Sequence, residues 1–464
     1  MDTIWPELLS QGDGPKYKSV AATIRQAVDD GRLKVGARLP PVRELAYQLG
    51  ITPGTVARAY TVLTGEGVLL AEVGRGTFVA ASKSPLHNDV WSRSAEPVDA
   101  RVLNLFSPRL PDVGQVAAIR AAMRKVSEGD PMGFLNYPTR DAYRPVRKVV
   151  ADWLSSQPLG PLDQADIVLT YGGQNGICVI LQAILHGPRP VLLVEDLSYA
   201  GFRRAAELLR AEVVGVEMDE FGVIPDALDA AARQSGAQVF CTTPEVQNPT
   251  GMHTPLARRK ELVTVSQRHN LQILEDDCYR LGQARAPSYR TLAPDRSWHV
   301  SSISKTLSSA LRVGFALAPN GRGADLRRAS EYGHFGLSQP LAELIRILLS
   351  DPDTRDLCRD VRECMAEYVR VAVNTLGGFD LSWDAEVPFI WLRLPPGWRA
   401  AAFCRAAEAE GVQMRSADEF ALRNGRAPHA VRISVNAQVT LSSFENAMQR
   451  LRQLLDDPPE QISV

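Results

Sequence analysis

The sequence predicts a large α/β body with a mostly parallel central sheet, preceded by a small basic helical head. Three observations predict it. Short apolar runs recur along most of the chain, namely IVLT (167–170), PVLLVED (190–196), AEVVGV (211–216), QVFCTT (238–243), LQILEDD (271–277) and VGFALA (313–318), with amphipathic helical stretches between most of them. Strands separated by helices fold as largely parallel sheets, and residues near the strand ends become site candidates. The first eighty residues follow another pattern, three helices and two short strands. From Lys16 to Ala80, nine basic side chains stand against five acidic ones, although the whole 464-residue chain carries a formal charge of −1.

Composition narrows the function classes. With 45% apolar and 23% charged residues the chain has material for a sizeable core, which excludes global disorder. Cys178, Cys241, Cys278, Cys358, Cys364 and Cys404 form no C-x-x-C pair, which argues against a disulfide scaffold, a zinc ribbon or any metal site and suits a reducing cytosol. The first residues show no basic stretch leading into an apolar one, and no uninterrupted apolar run reaches ~18 residues, so a cytoplasmic protein without a membrane span is expected.

In the head, YKSVAATIRQAVDD (17–30) places Val20, Ile24, Ala27 and Val28 on one helical face, and Gly31 ends the helix. PVRELAYQL (41–49) is a second short helix with Leu45, Ala46 and Leu49 inward, and Gly50-Ile51 is a tight connection. Thr52 is a good N-cap and Pro53 suits the first helical position, so a third helix follows, with Val56, Ala59, Tyr60 and Leu63 inward and Thr55 and Arg58 outside. VLLAEV, Gly74-Arg75-Gly76 and TFVA read as a hairpin. This order is that of a winged helix-turn-helix. Small polar side chains at a helix N-terminus enter a major groove, and nearby arginines meet phosphates.

The LPPVREL turn, the TVARAY helix and the GRGTFV wing resemble the DNA-binding domain of GntR-type bacterial regulators. The resemblance implies double-stranded operator DNA as a partner, contacted by Arg43, Thr52, Thr55, Arg58 and the wing residues Arg75, Gly76 and Thr77. Many relatives carry Ser-Arg where this chain has Thr52-Pro53. The stretch 81–103, polar and containing Pro85 and Pro97, reads as a linker, so the expected division is a DNA-binding domain over 1–80, a linker over 81–103 and the body over 104–464.

Five clusters sit at strand-like ends of the body. Tyr171-Gly172-Gly173-Gln174-Asn175-Gly176 opens an apolar helix, whose exposed N–H groups and dipole favour an anion such as phosphate. Asn248 lies in a turn, Thr243 to Gly251. Glu275-Asp276-Asp277 ends a strand, and adjacent carboxylates there ask for a cation. Lys305 stands among Ser302, Ser304 and Thr306, with Arg312 beyond, and Arg432 lies inside a short apolar run. Together they point to pyridoxal 5′-phosphate. Lys305 supplies the amine that joins the aldehyde. Asp276 holds the pyridine nitrogen, and Asn248 and Tyr279 donate to the phenolate oxygen. Gly173, Gln174, Asn175, Ser302, Ser304 and Arg312 form the phosphate cup. Tyr199 lies on the ring face, and Arg432 grips the carboxylate of an incoming amino acid.

QNPTG (247–251), EDDCY (275–279), SISKTLSSALRVG (302–314) and VRIS (431–434) resemble class I aminotransferases of fold type I, from about Asn104 to Leu454. The resemblance implies a smaller C-terminal α+β subdomain and the same residue roles. It also implies that Tyr137, in NYPTRDAY, reaches the cofactor phosphate of a neighbouring subunit. A GntR-like reader ahead of such a body resembles the MocR-type regulators. These are homodimers, located with the nucleoid, in which an amino compound forms an external aldimine and changes how the DNA-binding heads engage. The EDDCY form resembles the taurine and ectoine branches more than the γ-aminobutyrate one. The other reading is a working aminotransferase that carries a DNA-binding domain.

Overall fold

The computed structural model describes residues 16–30, 32–34, 36–65, 68–72, 76–79, 102–422 and 425–458. The chain divides into two compact units, Met1–Ser94 and Ala95–Val464. Gly31, the wing turn with Arg75 and all of the expected linker up to residue 101 lie outside the described residues.

The first unit has helices α1 (Lys16–Asp29), α2 (Val42–Gln48) and α3 (Pro53–Gly65), then strands β1 (Leu69–Glu72) and β2 (Gly76–Val79), paired antiparallel with Leu69 opposite Val79. Its core is built from the apolar stripes of the three helices. Val20, Ile24, Leu45, Val56, Ala59 and Leu63 are all buried, and Leu69 and Val79 close the cluster from the hairpin. Tyr60 is buried as well, and its hydroxyl donates to the Pro40 carbonyl at 2.8 Å. That bond ties α3 to the turn before α2. Gly76 has φ +121°, and a Cβ there would stand 2.9 Å from Arg38 Nε, so the wing needs a glycine at this point.

The second unit is built on a seven-stranded sheet. Its strands are β3 (Ile167–Thr170), β4 (Val191–Glu195), β5 (Glu212–Val216), β6 (Val239–Thr242), β7 (Gln272–Asp276), β8 (Ser297–Ser302) and β9 (Gly314–Leu317), in the order β3-β9-β8-β7-β6-β4-β5. Only β9 runs antiparallel to its neighbours. Leu192, Val194, Cys241 and Leu274 pack on one face against Ile177, Ile180 and Leu181 of α4 (Gly173–Ile184). Leu193, Phe240 and Ile273 pack on the other against Leu228 and Leu262. Both faces are covered, so the strands read as continuous apolar runs. β8 is not among the runs expected from sequence. Ser297, His299 and Ser301 alternate there with Trp298 and Val300, and all five are buried. Polar residues inside a sheet hide the strand.

The smaller C-terminal part is an antiparallel sheet of β10 (Asp380–Ser382), β11 (Phe389–Arg393), β12 (Arg415–Ser416) and β13 (Ala430–Ser434), ordered β10-β11-β13-β12. It shares a core with the helices Asp353–Leu376, Ala400–Ala409 and Leu441–Asp456. Leu103, expected at the end of the linker, instead belongs to a two-residue strand that pairs with Val412. Its backbone N–H donates to the Gly411 carbonyl at 2.7 Å, which fastens the start of this unit. Among the described residues no helix is long and apolar enough to cross a membrane, and no cluster suits a metal ion.

Leu63 is fully buried in the core of the first unit. Leu63→Ala should destabilise that unit by about 2–5 kcal/mol. Thermal unfolding followed by protease resistance of the two units should show the early loss of the first and an unchanged second.

Candidate functional site

Residues that follow the carboxyl ends of β3, β4, β7 and β8 meet β13 of the smaller part around a cavity of about 260 Å³. Of the expected residues, Gly173, Gln174, Tyr199, Asp276, Tyr279, Ser302, Ser304, Lys305, Arg312 and Arg432 all line it. This gathers residues from position 173 to 432 into one place.

The anion end is made by α4. Gly172 caps this helix with φ +81°, and the amides of the first turn have no partner within the helix. A Cβ on Gly173 would stand 2.4 Å from Cys278 Sγ, and one on Gly314 would stand 2.8 Å from the Gly172 carbonyl carbon. Two glycines therefore let strand and helix approach closely enough to aim the amides into the cavity. Arg312, with φ +52°, lays its guanidinium against Gly172. Ser302 Oγ accepts from the Ser304 amide at 3.2 Å, which folds the turn that carries Lys305. The side chain of Asn175 turns away from the cavity and accepts from the Tyr171 amide at 3.0 Å. The Gln174 side chain donates to the Gly201 carbonyl at 2.9 Å and supports the corner that holds Tyr199.

The three carboxylates at and just past the end of β7 find different surroundings. Glu275 accepts from the Tyr289 amide at 2.8 Å and lies 3.8 Å from Arg259. Asp277 is paired with Arg280. Asp276 faces the cavity, accepts from the Cys278 amide at 3.0 Å and has no protein cation at ion-pair distance among the described residues. Burial pushes its carboxyl up to about 6.

Asn248 is held by its own turn, its amide donating to Thr243 Oγ1 at 3.2 Å. Its Oδ1 accepts from Arg432, and its Nδ2 is buried without a partner. Tyr279 rests edge-on against Phe389 with ring centroids 5.4 Å apart, and Lys305 Nζ stands 5.2 Å from the Tyr279 ring centre. Burial raises the Tyr279 hydroxyl, but the charges of Lys305 and Arg432 outweigh it and lower it overall. Arg432 is buried among Phe389, Phe420 and Tyr279, and burial pulls its guanidinium down. Its Nη2 donates to the Phe106 carbonyl at 2.7 Å, while Nε is unpartnered. Tyr199, whose hydroxyl burial raises, begins the helix Ala200–Leu208. A Cβ on Gly201 would overlap its ring.

Tyr137 is not in the cavity of its own chain. It is 82% exposed and packs on Phe335 at 5.7 Å. The cavity also holds residues that the motifs did not single out: Ser107, Arg204, Cys278, Arg415, Glu419 and Phe420. Cys278 lies inside EDDCY, and the tight contact with Gly173 explains its place. The others come from stretches without a motif, and only folding brings them in.

In the first unit, Thr52, Gly54 and Arg58 are exposed at and along the start of α3, and Arg43 is exposed on α2. Thr52 Oγ1 and Thr55 Oγ1 are 2.9 Å apart at the helix N-terminus. The Arg58 guanidinium lies over the Tyr17 ring at 4.3 Å, which holds it on the same face. Gly76 and Thr77 open β2 and are partly exposed.

A helix-turn-helix with a wing, followed by an α/β body whose strand ends gather a lysine, an unpaired aspartate and an amide-lined anion cup, defines a DNA-binding protein with a cofactor-dependent transferase fold. Residues 101–451 match the model of aminotransferase class I and II, and residues 16–79 match that of the bacterial regulatory proteins, gntR family. The chain belongs to the aminotransferase class I and II family and carries a GntR-type DNA-binding domain at its front. It is 28% identical over 455 residues to an uncharacterized HTH-type transcriptional regulator, YdeF, of Bacillus subtilis (strain 168), covering 98% of this chain and 97% of that one. It is 31% identical over 306 residues to the HTH-type pyridoxine biosynthesis transcriptional regulator PdxR of Corynebacterium glutamicum, covering 64% of each. Among solved structures it is similar to LysN, an α-aminoadipate aminotransferase from Thermus thermophilus, with a TM-score of 0.68 and 25% identity, covering 77% of this chain and 92% of that one. The family depends on pyridoxal 5′-phosphate. The cavity fits that group: Asp276 lacks the cation that a protonated pyridine nitrogen provides, and Asn248, which does not line the cavity but bonds the lining Arg432, has a buried Nδ2 without the acceptor that a phenolate oxygen would provide.

The folded-state value of Asp276 lies above the ordinary carboxylate value, so its penalty is absent below about pH 4 and complete above about pH 6. Asp276→Asn should stabilise the cofactor-free protein above pH 6 by on the order of 2–3 kcal/mol and remove that part of the pH slope. Urea unfolding between pH 4 and 8 measures it. The same substitution should weaken cofactor binding.

Proposed function

We propose that this protein is a transcriptional regulator that binds operator DNA through its first unit and senses an amino compound at pyridoxal 5′-phosphate in its second. The observation that carries the reading is the pairing, in one chain, of exposed Arg43, Thr52 and Arg58 on a helix-turn-helix with a cavity that keeps Lys305, Asp276 and Arg432 together. A DNA-binding domain over 1–80 and a linker from 81 that ends before the strand holding Leu103 belong to the proposal, as does a cytoplasmic, nucleoid-associated location.

When bound, the cofactor supplies an aldehyde carbon for which primary amines compete. Lys305 supplies the resident amine, and the neighbouring Ser302–Ser304 turn sets its position. The Asp276 carboxylate would hold the pyridine nitrogen, and Asn248 Nδ2 with the Tyr279 hydroxyl would hold the phenolate oxygen. The amides of Gly173 and Gln174, with Ser302, Ser304 and Arg312, would hold the phosphate. Tyr199 would cover one ring face. Arg432 is prepared for the acid group of the effector, a carboxylate or sulfonate, because Asn248 and Phe106 fix its fork while its buried Nε has no partner. For the signal to reach DNA, the effector must bind two arrangements of the protein with different affinity.

We also propose a homodimer. Leu135, Tyr137, Tyr332 and Phe335 are more than seven-tenths exposed and form apolar surface on one segment pair. Isolated exposed apolar residues are ordinary, but a cluster of this kind marks an interface. Tyr137 would then reach the cofactor phosphate of the partner subunit. A second reading, turnover as an aminotransferase, is favoured by the completeness of the lysine, aspartate and arginine set. It requires Lys305 to carry a proton between carbon atoms.

Lys305→Ala should abolish the absorbance near ~420 nm of the lysine-bound cofactor; a persisting band would put the amine elsewhere. Arg58→Ala should weaken operator binding and leave that band intact, as fluorescence anisotropy with labelled DNA would report. Titration with a panel of amino compounds tests the sensing itself. A spectral response without keto product, with an acceptor keto acid present, supports the regulator, and sustained product supports the second reading.

A further inference from the structure

The cavity contains an ion pair that none of the roles above uses. Arg415 and Glu419 both line it, and Arg415 Nη1 is paired with Glu419. Arg415 stands directly across the antiparallel β12–β13 pair from Arg432. The two guanidinium groups converge on one carbonyl, that of Phe106, with Arg415 Nε at 3.1 Å and Arg432 Nη2 at 2.7 Å. Like charges this close repel, and a carboxylate relieves the repulsion best where it can reach. Only Arg415 has one. Arg432 has neutral partners alone and no carboxylate at ion-pair distance among the described residues. Of the other arginines that line the cavity, Arg312 lies against Gly172 at the anion end, and Arg204 stands on the helix that follows Tyr199.

Glu419 is held in place by backbone contacts. Arg203 donates to the carbonyls of Glu419 and Ala421, and the Ser198 amide donates to the Phe420 carbonyl at 3.1 Å. The rim segment that carries Glu419 is thus tied to the loop that carries Tyr199.

We infer that Glu419 restricts the effector to a compound with a single acid group. It occupies Arg415, leaves Arg432 as the guanidinium at the Phe106 carbonyl that has no carboxylate partner, and repels a second carboxylate. Without its charge, Arg415 becomes a second acid receptor beside Arg432, and a dicarboxylic amino acid is accepted. This inference rests on the reading that the cavity binds an amino compound.

The test titrates the full-length, cofactor-loaded protein with matched amino acids, L-norvaline against L-glutamate and L-alanine against L-aspartate, and follows the cofactor spectrum. The wild type should prefer the compound with one acid group in each pair. Glu419→Gln should shift the affinity ratio toward the dicarboxylic partner by roughly tenfold or more, and the shift should shrink in high salt because the pair sits at the rim. Adding Arg415→Gln to Glu419→Gln should abolish the shift. An unchanged ratio in Glu419→Gln, or a shift that survives the loss of Arg415, overturns this inference and leaves the sensing reading standing. A wild-type spectrum that responds to no amino acid overturns both.

Discussion

A carboxylate enclosed in protein without a cation or a full set of donors is unfavourable by several kcal/mol, and the body of this protein is arranged around one. Strand β7 ends in Glu275 and Asp276, which the pleat sends to opposite faces, and Asp277 follows just beyond it. Arg259 and Arg280 satisfy Glu275 and Asp277. Asp276 is left with the amide and thiol of Cys278 as donors, no cation, and a carboxyl raised by burial. A protonated ring nitrogen is the missing partner. The surrounding features are consistent with that demand: a helix N-terminus for the phosphate at one end, a lysine for the aldehyde, and an amide donor without an acceptor between them. The tension in the cofactor-free cavity is therefore part of the driving force for filling it.

The close approach of helix and sheet is what makes the anion cup. Gly173 touches Cys278, and Gly314 touches Gly172, at distances that admit no side-chain carbon. A larger residue at either place would push α4 away from β7 and β9 and lift its free amides off the phosphate position. The same geometry explains a cysteine in EDDCY, since its small side chain fills the groove beneath Gly173. The arrangement is economical, because the residues that close the core also point the amides.

Much of this was legible in the sequence. Apolar runs marked six of the seven strands of the main sheet, because both faces are covered and no alternation is needed. The seventh, Ser297–Ser302, escaped because its buried polar residues alternate with Trp298 and Val300. The first unit was readable from helical stripes and caps, since Val20, Ile24, Leu45, Val56 and Leu63 recur at helical spacing and all lie in its core. Residues in motifs, such as Lys305 and Asp276, were legible because cofactor chemistry demands particular types at strand ends. Asn175 was legible only as part of a glycine turn, and its side chain serves the Tyr171 amide. Arg415, Glu419 and Phe420 carry no local signal. Their place depends on β12 pairing with β13, which sets Arg415 opposite Arg432, and no motif announces that pairing.

The residues that hold a cofactor do not by themselves separate a sensor from an enzyme. Capture of an amine by the aldehyde carbon is common to both, and Asp276, Asn248, Tyr279 and Arg432 serve that capture. The two part only after the amine is captured. An enzyme must move a proton and release a product; a sensor must hold its ligand long enough to favour one arrangement over another. A tightly anchored acid group suits holding. Arg432 is anchored by Asn248 and Phe106, enclosed by three aromatic rings, and released from water before any ligand arrives. Much of the cost of desolvating and orienting that guanidinium is therefore met in folding, and a carboxylate or sulfonate that pairs with it gains a strong, directional interaction. Such pre-organisation strengthens capture in a sensor and in an enzyme alike. What favours a ligand that stays bound is the other unit of the chain, built to read DNA.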